Sequence, residues 1–88
     1  MGHADFRVGG KIFATLGYPD RGYAAVMLSP ADQDLLVRHH PTAFAPAPGA
    51  WGKQGSTTVV LRAATRTAVR AALESAWTRR APARLKHG

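Results

Sequence analysis

Ala4-Asp5-Phe6-Arg7-Val8-Gly9-Gly10-Lys11-Ile12-Phe13-Ala14-Thr15-Leu16 is the stretch from which the rest of the chain can be read. Two short segments rich in β-formers, Ala4 to Val8 and Lys11 to Leu16, flank a Gly-Gly pair. Glycine takes at little cost the positive φ angles that a two-residue hairpin turn demands, so the stretch predicts a β-hairpin. Outward from it, turn formers dominate residues 17–22, and Tyr23 to Leu28 runs apolar without a break, as a third strand would. Ser29-Pro30-Ala31-Asp32 then supplies an N-cap hydroxyl, a proline suited to the first helical position, and an acid where the helix dipole favours it. A helix starting at Pro30 carries Leu35, Leu36 and Val37. It should stop near His40, because Pro41 disfavours helical dihedrals in the residue before it.

From Pro41 to Gly49 the chain holds three prolines and a glycine around Phe44, a stiff loop that Phe44 is expected to pin to the core. Ala50-Trp51-Gly52-Lys53 reads as a brief strand, Gln54-Gly55-Ser56 as a turn, and Thr57 to Arg62 as a β-branched strand with Thr57, Val59 and Leu61 on one face. Together they make a second hairpin. Ala63 to Thr67 leads into a helix whose apolar residues Val69, Leu73, Ala76 and Trp77 form one stripe, with Pro82 beyond its end. On a more polar side Arg66, Arg70 and Glu74 follow at intervals of four, so that one arginine can pair with Glu74. The order is strand, strand, strand, helix, strand, strand, helix. Helices set apart from hairpins argue the α+β class: a two-layer sandwich with an antiparallel five-stranded sheet and helices on one face.

With 88 residues the chain is expected to be a single domain, able to hide only about 60–65% of its unfolded surface. It has no cysteine, so neither disulfides nor thiolate metal sites hold it together, and a reducing, cytoplasmic setting is expected. No run approaches the roughly 18 apolar residues of a membrane span, and the N-terminus lacks the apolar stretch of a signal sequence, so no membrane partner is expected. Twelve Lys and Arg stand against five Asp and Glu, a net charge of +7. Up to Phe44 four basic residues offset four acidic ones, whereas from Ala45 onward eight basic residues face Glu74 alone. That asymmetry points to an anionic partner.

The residues for catalysis are missing. His3, His39, His40 and His87 have no shared metal-binding spacing, and His39-His40 sit where they would offset a helix dipole. Ser29 and Ser56 have cap and turn roles, no Gly-x-Ser-x-Gly elbow occurs, and the five carboxylates form no acid/base pair. Gly49 to Thr57 superficially suggests a phosphate-binding loop, but Gln54 and Gly55 separate Lys53 from Ser56, and a strand follows where that motif needs a helix. No catalytic residue, metal or cofactor is therefore assigned, and a non-enzyme is expected.

The segments Phe6-Arg7-Val8-Gly9-Gly10-Lys11-Ile12-Phe13-Ala14 and Phe44-Ala45-Pro46-Ala47-Pro48-Gly49-Ala50-Trp51-Gly52, then Gly55, Val59 and Leu61, and finally Ala76-Trp77, resemble the MmcQ/YjbR family of small bacterial proteins over nearly the whole chain. The resemblance implies a two-layer fold with a five-stranded antiparallel sheet and a proposed DNA-binding role in which hairpin wings contact the duplex. Members of that family usually begin with a further helix. Here the chain opens at Met1-Gly2-His3 ahead of the first strand, so a short N-terminus and a partly bare apolar surface are expected.

The leading functional expectation is a DNA-binding domain of low sequence specificity. Lys11 and Lys53 at two hairpin tips, with Arg62, Arg66 and Arg70 along the strand end and helix, would meet phosphates, and Gln54 would reach base edges. Trp51 and Trp77 are assigned to the core rather than to base stacking. The alternative is a protein-interaction or chaperone-like module, including a homodimer, seated on a bare apolar sheet face or on the Phe44 loop.

Overall fold

The computed structural model describes residues 4–17 and 21–81. Residues 18–20 of the expected turn, Pro82, His3 and His87 lie outside them. The strands are β1 (Ala4–Val8), β2 (Lys11–Leu16), β3 (Tyr23–Met27), β4 (Phe44–Pro46) and β5 (Ser56–Val60), and the helices are α1 (Pro30–His39), α2 (Gly49–Lys53) and α3 (Arg66–Arg80). The five strands form one antiparallel sheet in the order β1-β2-β3-β5-β4. This is the expected α+β order, with the short α2 inserted between the last two strands.

The first hairpin turns on Gly9 and Gly10 at φ 58° and 80°, the left-handed pair that a tight two-residue turn needs. The pairing Phe6 with Ala14 and Arg7 with Ile12 skips Phe13, a bulge that alternation alone does not announce. It puts Phe13 and Ala14 together on one face and hands Ile12 to the other. In α1, Ser29 Oγ accepts from the Asp32 N–H at 3.1 Å and Pro30 opens the helix. His40 closes it, its N–H donating to the Leu36 carbonyl at 2.8 Å.

The second hairpin departs from expectation. Residues 50–53 belong to α2, and the strand lies earlier, at Phe44–Pro46. A proline is tolerated there because β4 is an edge strand with β5 as its partner, so the missing N–H removes no ladder bond. The helical turn needs glycine at this point: a Cβ on Gly52 would lie 1.8 Å from the Ala47 carbonyl oxygen.

Helices α1 and α3 share one face of the sheet. The core joins Ala24, Val26 and Val59 of the strands to Leu28, Phe44 and the alanines Ala68, Ala72 and Ala76 of α3. Thus the line of α3 nearest the sheet consists of alanines. Val69, Leu73 and Trp77, from the expected stripe, flank it half-buried.

Candidate nucleic-acid interface

The face of the sheet away from α1 and α3 forms an open trough of about 880 Å³. Its floor is Ile12, Ala25, Met27 and Thr58, and Trp51 stands at one side, with Arg7, Lys11 and Arg80 along its margin. Ile12 reaches this floor because of the bulge at Phe13. Asp5 also lines the trough, and its Oδ1 accepts from the Thr15 hydroxyl at 3.1 Å.

Trp51 is 72% exposed, which overturns its assignment to the core. The helix that displays it is held from behind by Gln33, a residue the sequence reading passed over. The buried Gln33 side-chain amide reaches the Gly52 carbonyl at 2.9 Å, the Ser56 carbonyl at 3.0 Å and Thr57 Oγ1 at 3.1 Å. Thr57, fully buried, donates its hydroxyl to the Gly55 carbonyl at 2.9 Å. Each polar group removed from water here has a partner, so the network fixes α2 against α1 and β5 rather than costing stability. A signal for Gln33 exists in its spacing: it precedes Leu36 and Val37 by three and four residues and so shares their inward face.

The six residues expected to bind nucleic acid are all on the surface, but they divide between the two ends of the sheet. Lys11 opens β2, at the end where β3 finishes and β5 begins, since Met27 pairs with Ser56. Lys53, the last residue of α2, and Gln54, its C-cap, lead into that same end of β5. Strands β2 and β5 are two places apart, roughly 10 Å. Arg62 follows β5 at the far end, beyond Val60 opposite Tyr23, and Arg66 starts α3 from there. The two ends are separated by the length of a five-residue strand, about 17 Å. Arg70 lies on the exposed side of α3 with its Nε 3.9 Å from Glu74, the expected pair and a weak one. Lys53 and Gln54 do not crown a tight hairpin; they end a helical turn. Among the described residues, no group of three or more His, Asp and Glu comes together, and no helix is long and apolar enough to cross a membrane.

Fold and surface together define a small α+β protein whose antiparallel sheet has one face packed by helices and the other open to solvent. The YjbR family model matches residues 1–79, and the chain belongs to that family. Comparison with curated proteins and with solved structures yields no match.

Proposed function

We propose that this protein is a non-enzymatic DNA-binding domain of low sequence specificity, which takes DNA across the Lys11 and Lys53 end of the sheet and onto the open face. The observation that carries the reading is that Lys11, Lys53 and Gln54, far apart in sequence, share one end of the sheet beside the exposed ring of Trp51. The two ammonium groups offer charge to phosphates without selecting sequence, and Gln54 alone of the three offers a donor and acceptor pair to a base edge. A solvent-facing indole stacks on an unpaired base, so single-stranded DNA or a frayed end is the preferred form. Arg62 and Arg66 form a second positive area at the other end of the sheet, about 17 Å away, which only DNA running the length of the molecule would reach.

Fluorescence anisotropy of labelled single-stranded and duplex DNA, titrated at several salt concentrations, tests this. With about five phosphates neutralised, log K against log salt is expected to slope at about −3.5 for the single strand and −4.5 for the duplex. Lys11→Ala and Lys53→Ala should each flatten the slope by about one phosphate's share. An absence of binding at low salt, or binding indifferent to salt, contradicts the reading.

Trp51 gives a sharper expectation. Trp51→Ala should weaken single-strand binding by about 5-fold to 150-fold, the span of one lost stacking contact. Its melting temperature should stay close to that of the unmodified protein, because so exposed a side chain adds little to folding. Unchanged affinity would remove Trp51 from the interface.

A further inference from the structure

The helix-packed side of the sheet also has an uncovered stretch. Beside α3 lies an apolar groove of about 340 Å³, walled by Phe6, Phe13 and Leu16 on the strands and by Val69, Leu73 and Trp77 on the helix. Phe6 and Leu16 are each 43% exposed at its mouth. The groove opens along β1, an end strand of the sheet whose partner is β2, which leaves its outer row of N–H and C=O groups available. The opposite edge is blunted, since β4 has three residues and one is Pro46. In contrast, β1 has five residues and neither proline nor lysine. The bulge falls on β2, so β1 keeps a regular run.

We propose that a second copy of this chain covers the groove, with β1 pairing antiparallel to its counterpart about a twofold axis through Phe6. The sequence of β1 supports this occupant by complementarity. Phe6 is the central residue of Ala4–Val8, with Asp5 on one side and Arg7 on the other. An antiparallel pairing centred on Phe6 sets Asp5 opposite the second copy's Arg7, and Arg7 opposite its Asp5, giving two opposite-charge cross-strand pairs on the open face. On the other face the two Phe6 rings meet over the mouths of both grooves. A shift of register by one residue would lose both charge pairs and turn Phe6 away from its counterpart, so the charges also fix the alignment. The charge pairs lie at the β1 edge of the open face that the DNA reading also uses, but the groove is on the other face and the dimer is tested without DNA, so either reading can fail alone.

Sedimentation equilibrium between about 10 and 500 μM, the range expected for a small interface, decides the matter. The unmodified protein should form a concentration-dependent dimer. Asp5→Arg and Arg7→Asp should each weaken it about tenfold or more, because each places like charges opposite one another twice. The double variant should return to within about threefold of the original. A mixture of the two single variants should give heterodimers, since the four charges are again complementary. Phe6→Ser should dissociate the dimer while circular dichroism still shows a folded chain. A strictly monomeric unmodified protein overturns the proposal whatever the variants do. So does a dimer indifferent to the single reversals, or a monomer that binds an apolar dye in the groove, which would assign the groove another occupant.

Discussion

Gly55→Ala is expected to leave the protein largely unfolded at 37 °C. Residue 55 has φ +112°, a conformation that side chains rarely adopt, and a Cβ built there would lie 1.7 Å from the Leu28 carbonyl oxygen and 2.8 Å from its carbon. The obstacle is backbone, so no rotamer change relieves it. Strained φ costs about 1–3 kcal/mol and forced overpacking about another 1–3 or more. Against a total stability of about 4–13 kcal/mol for a chain of this length, a loss of about 3–6 kcal/mol is decisive. The contact is also structural on the other side, because the Leu28 N–H donates to the Gly55 carbonyl at 3.0 Å, tying the entry of β5 to the exit of β3. Thermal unfolding followed by circular dichroism should show a fall of about 15 °C or more. Gly10→Ala is the control: its φ is +80° but nothing lies within 4 Å of the added Cβ, so it should cost only about 1–2 kcal/mol. Equal losses at the two positions would show that φ strain, and not the Leu28 contact, sets the requirement.

That contact bears on how much of the molecule was readable from its residues. Features set by neighbours in sequence were legible: the Gly9-Gly10 turn, the Ser29 cap and Pro30 start, the end of α1 before Pro41, and the inward face of Thr57 and Val59. Features set by contacts across the fold were not. Gly55 reads as an ordinary turn former, yet it is required by the Leu28 carbonyl, remote in sequence; Gly52 is required by the nearer Ala47 carbonyl within a helical turn at residues 49–53, where the sequence pattern predicts a strand. Hydrophobicity points to Val69, Leu73, Ala76 and Trp77 on α3, and Ala76 does lie in the core, but size decides that Ala68 and Ala72 join it nearest the sheet while the three larger residues flank the line. The site was legible in part for the same reason. Positive charge is visible in composition, but its division between two ends of the sheet depends on the register of β3 with β5. Trp51 was misplaced because a tryptophan's burial follows from the element that carries it, and that element was misread.

Phe44→Ala is expected to cost about 3–5 kcal/mol, the usual range for emptying a buried phenylalanine site. Phe44 is 1% exposed and the largest fully buried side chain among the described residues. On β4, the strand that α1 packs against, it shares the core cluster with Leu28, Ala43 and Val59, and its ring lies 5.9 Å from that of His40. In urea the midpoint should drop by about 2–5 M, given a slope of about 1–1.5 kcal/mol per molar for so small a domain. Phe44→Leu, which keeps most of the volume, should cost less than about 1.5 kcal/mol. The result separates two roles that its sequence surroundings suggested. A residue that pins its loop to the core loses stability when truncated, whereas a docking residue on an exposed loop loses partner binding with its unfolding midpoint unchanged. With its ring hidden and its N–H donating to the His40 carbonyl at 3.0 Å, Phe44 belongs to the first kind. Any association lost in Phe44→Ala should therefore return in Phe44→Leu along with the midpoint; an unshifted midpoint in Phe44→Ala would contradict the packing and move the residue to the surface.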